Sequence, residues 1–167
     1  SKGFDMEVAF DCGVVDHDKR GGYFDTMGQR LIVPIINSFG EVIAFGGRSM
    51  KKQINFAKYK NTKQTDLFDK SKNLFGINLV SKKKKQGALQ YIIVVEGYMD
   101  AIALHQAGFD SAVASMGTSL TKEQARLMKR YVDKVYICYD GDAAGTKGTL
   151  RGLEILKEEG LDVRVMS

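Results

Sequence analysis

The stretch YIIVVEGYMDAIALHQAG (Tyr91–Gly108) decides the fold. Tyr91–Val95 is an unbroken apolar run rich in β-branched residues, the pattern of a strand buried on both faces. Glu96-Gly97 ends it. Met99, Ile102, Ala103 and Ala107 then follow at helical spacing, and Gly108 closes the helix. The same unit recurs downstream. Ser111–Met116 reads as a second strand. Thr121 with Gln124 forms a capping box that opens a second helix, carrying Ala125, Met128 and Val132 inward. Lys134–Tyr139 is a third strand, Ala143–Glu159 a third helix ended by Gly160, and Val163–Met166 a fourth strand. Strand and helix alternate, which predicts a parallel sheet with right-handed crossovers.

Upstream of this region the pattern breaks. Glycines 3, 13, 21, 22 and 28 interrupt residues 1–28. Arg30–Ile36 and Glu41–Phe45 read as a hairpin joined by Asn37-Ser38-Phe39-Gly40. Pro34 cannot donate to a ladder, so its strand belongs at an edge or carries a bulge. Gly46 and Gly47 are expected to end the second strand. Asn73–Val80 is a short apolar strand or helical turn, and Lys82–Lys85 reads as a solvated linker. These features divide the 167 residues into a basic mixed α+β subdomain, 1–86, and a parallel α/β domain, 87–167. The chain starts at Ser1 and stops on an apolar stretch at Ser167, as an excised fragment would.

Charge separates the same two parts. Residues 1–86 carry 16 Lys/Arg against 9 Asp/Glu, a net of +7, and residues 87–167 carry 9 against 11, a net of −2. Arg48–Lys85 alone holds 12 basic residues and two acids, Asp66 and Asp69. Such an excess attracts a polyanion. Phe56, Tyr59 and Phe68 interleave with the cations, as suits base stacking beside phosphate contacts; a merely solvated face is the plainer alternative. Apolar runs fall short of the ~20 residues that span a bilayer, and no secretory signal opens the chain, so a cytoplasmic, membrane-free protein is expected. Cys12 and Cys138 lie too far apart for a metal knuckle.

Ligands of open parallel sheets bind beyond the carboxyl ends of the strands. Here those ends carry Glu96-Gly97, Gly117-Thr118 and Asp140-Gly141-Asp142. In an extended segment Asp140 and Asp142 leave the same face. Carboxylates without His or Cys suit Mg²⁺ or Mn²⁺ rather than zinc. Each acid has a structural alternative: Asp142 as a helix N-cap, Asp140 as a turn cap, Glu96 as a lysine's partner. His17 and His105 are lone histidines, the latter expected to face solvent. Cys138 is expected in the core, Gly46-Gly47-Arg48 lacks the ending of a P-loop, and Gly-Thr-Ser at 117–119 is not a nucleophile elbow.

VVEGYMD (Val94–Asp100) and CYDGDAAG (Cys138–Gly145) resemble the TOPRIM domain of topoisomerases, primases and repair proteins. YFDTMGQRLIVPI (Tyr23–Ile35), GEVIAFGGR (Gly40–Arg48), KYKN (Lys58–Asn61), TDLFDKSKNLFG (Thr65–Gly76) and ASMGTSLT (Ala114–Thr121) are similar, in this order, to the catalytic core of bacterial replicative DNA primases. The resemblance implies a divalent-metal-dependent nucleotidyltransferase, a DNA-directed RNA polymerase that makes short RNA primers from NTPs on single-stranded DNA at the replication fork, in the cytoplasm and nucleoid. It implies metal-holding, catalytic roles for Glu96, Asp140 and Asp142, and template or NTP binding by Arg48, Lys58, Tyr59, Asn61 and Lys70. Gly97, Asp100, Gly145 and Arg151 match supporting positions. It further implies a zinc domain and a helicase-contacting, primosome-forming domain outside this chain, and a further acidic motif beyond Ser167. On that ground the isolated fragment is expected to be inactive or very weak. The chain departs from the family's KYLNSP at Lys60 and Thr62-Lys63. A metal-dependent TOPRIM nuclease or topoisomerase, and a non-catalytic DNA-binding recombination mediator, are the alternatives.

Overall fold

A computed structural model describes residues 3–50, 57–117 and 119–166. Expectations that touched Ser1, Lys51, Lys52, Phe56, Thr118 or Ser167 lie outside the described residues. The fold divides into two compact units, residues 1–35 with 42–69, and residues 36–41 with 70–167.

The first unit is built from short elements. Asp5 caps α1 (Met6–Asp11), accepting from the Glu7 amide at 2.8 Å. β1 (Val15–His17) and β2 (Tyr23–Asp25) pair antiparallel. Asp18 closes their turn by accepting from the amides of Arg20 at 2.7 Å and Gly22 at 3.0 Å. Three-residue strands are too short to show any periodicity, and all of β2 is exposed, so residues 1–28 carried no readable pattern. β3 (Arg30–Ile36), β4 (Val42–Ser49) and β5 (Tyr59–Asn61) form a second sheet in that order. Pro34 therefore sits on an edge strand, as its missing amide requires.

Gly46 and Gly47 do not end the second strand; β4 runs through them to Ser49. Both are buried, and they pair with Asn61 and Lys60 of β5. A Cβ on Gly47 would lie 2.8 Å from Cδ of Arg30 and 3.1 Å from Sδ of Met27. Glycine here leaves room for a crossing side chain rather than breaking the strand.

Beyond residues 36–41, the second unit continues with a 3-10 turn at Lys70–Lys72, followed by α2 (Ile77–Lys85). The Lys82–Lys85 run is thus the last turn of a helix, not a linker. Four cations there face the negative end of the helix dipole, which favours them. Then come β6 (Ile92–Val95), α3 (Tyr98–Gln106), β7 (Ala112–Ala114), α4 (Lys122–Lys129), β8 (Lys134–Ile137), α5 (Ala143–Glu158) and β9 (Asp162–Val165). The strands are parallel, in the order β7-β6-β8-β9.

All four residues of β6 are buried. Ile92 and Val94 join Ile77 and Val80 of α2, Ala125 and Met128 of α4 and Leu156 of α5 on one face; Ile93 and Val95 meet Ala101 of α3 on the other. Full burial of a Val or Ile side chain contributes ~1.5–3 kcal/mol, so this strand anchors the sheet. α3 buries Tyr98 and Ala101 and exposes Ala103, so its inner face is not the one the spacing predicted. His105 is not turned to solvent either. Its Nε2 lies 2.9 Å from the Ala112 carbonyl, tying α3 to β7.

Candidate active site and nucleic-acid interface

β6 and β8 are neighbours and parallel, so their carboxyl ends lie side by side. Cys138 N donates to Val94 O at 2.9 Å, carrying the ladder past the end of β8. Asp140 N then donates to Oε1 of Glu96 at 3.3 Å, linking the two strand ends directly. Gly145 stands against this junction. A Cβ there would lie 2.0 Å from the Asp140 carbonyl oxygen and 3.1 Å from Oε1 of Glu96, so only glycine lets α5 start so close.

The remaining acids do local work as well. Asp142 caps α5, its Oδ1 accepting from Gly145 N at 2.7 Å. Asp100 Oδ2 accepts from Gly97 N at 3.1 Å, fixing the turn that follows Glu96. Among the described residues no group of three or more His, Cys, Asp or Glu side chains is set to hold a metal ion. The donor set is nevertheless all oxygen, and Asp140 is exposed. It fits a hard cation held by one or two carboxylates and by a ligand's phosphates better than a closed protein cage.

Tyr139 directly precedes Asp140. Burial, countered in part by Ser115 and reinforced by the charge of Glu96, pushes its hydroxyl up to about 12, so it stays a neutral phenol. Arg151 is exposed on α5, beside a shallow depression it shares with Ser119 and Lys122.

In the first unit, the register sets Arg48 directly opposite Tyr59 and Gly46 opposite Asn61. Opposed residues share a face, so Arg48, Tyr59 and Asn61 line one side of the β4–β5 pair. Lys58 Nζ lies 5.4 Å from the centroid of the Tyr59 ring. Two residues to which the sequence assigned no role at the site hold this face. Arg30 Nη1 donates to Ala57 O at 2.8 Å and Gly47 O at 3.3 Å, the carbonyls just before Lys58 and Arg48. Thr62, buried, donates its amide to Phe45 O at 2.8 Å and accepts from Phe45 N at 2.9 Å through its hydroxyl. The conjunction of an arginine opening one hairpin strand with a Gly-Gly pair in the next was the available signal. Lys70, on its 3-10 turn, belongs to the second unit with the acids.

A parallel sheet with Glu after one strand and Asp-Gly-Asp after its neighbour defines a Toprim-like protein, and residues 93–167 match the family described as Toprim-like. Residues 1–81 match the DNA primase catalytic core, N-terminal domain. The DNA primase of Clostridium acetobutylicum is 43% identical over 166 residues, which is 99% of this chain and 27% of that protein. A DNA primase domain from Pseudomonas aeruginosa superposes with a TM-score of 0.88 at 36% identity, over 98% of this chain and 52% of that one. The DnaG primase catalytic domain gives 0.85 at 34% identity, over 96% and 50%. The chain belongs to the bacterial DNA primase family, within its catalytic core. It spans about a quarter of the length of the curated relatives it matches.

Proposed function

We propose that this chain is the part of a DNA primase that joins ribonucleoside triphosphates into short RNA primers on single-stranded DNA during replication, using Mg²⁺ or Mn²⁺. The observation that carries the reading is the direct link of Glu96 to Asp140 at the carboxyl edge of the sheet, with Gly145 keeping the approach open. Glu96, Asp140 and the second oxygen of Asp142 are the groups to hold the cation. A divalent cation there would offset charge developing on the α-phosphate and lower the pKa of the attacking 3′-hydroxyl. Asp100 keeps the turn after Glu96 in place. Arg48 and Lys58 neutralise template phosphates, Tyr59 offers a ring face for a base, and Asn61 lines the same side. Lys70 holds an anionic phosphate group. The related DnaG catalytic domain was solved bound to single-stranded DNA, which supports a template on this chain too. The remaining partners are the RNA primer and the replicative helicase, and the place is the fork, in the cytoplasm. Among the described residues no helix is long and apolar enough to cross a membrane.

The primase match over residues 1–81 favours this reading over a nuclease, topoisomerase or recombination mediator. The test is incorporation of labelled NTPs on a single-stranded template by the full-length protein, with Mg²⁺ or Mn²⁺. Product that needs template, cation and Asp140 supports the reading. Strand cleavage without extension would move the chain to the nuclease class.

A further inference from the structure

A capping box ordinarily spends only part of its Gln side chain; the amide NH₂ remains free to meet water. In α4 it does not. Gln124 is fully buried. Its Oε1 accepts from Thr121 N at 3.2 Å, and Thr121 Oγ1 accepts from Gln124 N at 3.1 Å, which completes the box. The NH₂ group then reaches inward and donates to Lys70 O at 3.0 Å and Asn73 O at 2.9 Å. Thr121 Oγ1 donates to Ser71 O at 2.5 Å. Three carbonyls of the segment that carries Lys70 are thus held by two residues some fifty positions downstream. Burying a carboxamide costs free energy unless its hydrogen bonds are made, and here both its donors and its acceptor are used. If α4 needed only a cap, the Thr121–Gln124 pair would serve without facing the upstream segment.

We propose that Thr121 and Gln124 are positioning residues for Lys70: a socket in α4 that fixes the Lys70–Lys72 turn so that the Lys70 ammonium is presented to the polyphosphate of a nucleotide. This rests on the phosphate-holding reading of Lys70. The side chain of Lys70 is half-buried, and burial lowers its pKa. Leu74, just past the turn, is wholly buried and anchors its far end. An immobilised, partly desolvated ammonium binds phosphate better than one on a free loop, because less order is lost on binding.

The test compares ATP binding, with Mg²⁺ present, by the full-length protein and five variants: Lys70→Met, Gln124→Met, the double variant, Thr121→Val and Thr121→Ser, all well below their melting temperatures. Lys70→Met is expected to weaken binding about tenfold, the scale of one hydrogen bond from a charged donor. Gln124→Met and Thr121→Val should each weaken it in the same direction. The double variant should be no weaker than Lys70→Met alone, and Thr121→Ser, which keeps the hydroxyl, should bind as the parent does. A merely structural cap would lower melting temperature while its effect on affinity persisted without Lys70 or never appeared. The Thr121 pair keeps the test open even if Gln124→Met unfolds. If Lys70→Met binds ATP as tightly as the parent, the reading of Lys70 falls and the socket with it. If Lys70→Met weakens binding but Gln124→Met and Thr121→Val do not, or if the double variant is additive, the socket alone is overturned.

Discussion

The two units achieve rigidity by different means. The second unit is held by burial: β6 has no exposed residue, and apolar side chains pack on both faces of its sheet. The first unit has a thin core, with Met27, Ile35, Ala44 and Phe68 as its buried apolar side chains among the described residues. Side chains bonded to backbone hold it instead, through Asp18, Arg30 and Thr62. The difference matches the roles proposed above for the acids at the sheet edge and for the cations of the β4–β5 pair. Acids that place a cation must be fixed to a fraction of an ångström, which strand ends in a packed sheet provide. Cations that track a flexible polyanion tolerate a looser mounting, because their effect is long-ranged.

The contrast can be broken at named positions. The largest effect is expected from Gly145→Ala, whose methyl would press on the Asp140 carbonyl. Helix α5 must shift, costing ~1–3 kcal/mol of stability and, through displacement of the acids, at least ~10²-fold in primer synthesis. Thermal melting and NTP incorporation measure both; a full-activity variant would show that the close approach does not matter. Gly47→Ala should act only on the first unit. Its neighbour is the flexible Arg30 side chain, so the fold survives while Arg30 loses its hold on Gly47 and Ala57. Single-strand affinity, read by anisotropy, should drop a few-fold, about what one lost hydrogen bond costs; loss of the second unit's near-ultraviolet signal would contradict the separation.

The smallest effect concerns pH. Burial puts the folded pKa of Lys70 below its ordinary 10.5. The unfolded chain then binds more protons between the two values, so stability rises with pH across that window. Phosphate needs the ammonium, so ATP affinity should fall as pH climbs through the lowered value. Lys70→Met should erase that alkaline loss; an unchanged profile would place the titration elsewhere.

How much was legible in the sequence follows from the same contrast. Burial on both faces leaves long apolar runs, so Tyr91–Val95 and its successors could be read, and the Thr121–Gln124 box has a fixed local spacing. The parallel sheet and its edge acids came from that alone. Which face of α3 turns inward did not, because apolar residues occur nearly all round it. Gly46-Gly47 read as a strand end because a glycine's neighbour in space is invisible in sequence; here it is Arg30. The inward NH₂ of Gln124 was hidden for the same reason, its partners lying more than fifty residues away. Asp142 was open between ligand and cap, and the structure gives it the cap. Lys82–Lys85 looked like linker because charge masks helix when a run forms only the last turn.

The most direct test of the division of labour is a salt titration of single-stranded DNA binding by the parent protein, Asp140→Asn and Lys58→Ala, run beside NTP incorporation. Asp140 makes no side-chain bond that Asn would break among those described, so its variant should keep its melting temperature, bind DNA with the parent's salt slope or slightly more tightly, and lose synthesis about 10²–10³-fold. Lys58→Ala should bind less tightly, with the slope of log affinity against log salt reduced by about 1. Asp140→Asn unfolding or losing DNA affinity, or Lys58→Ala keeping the full slope, would contradict the account.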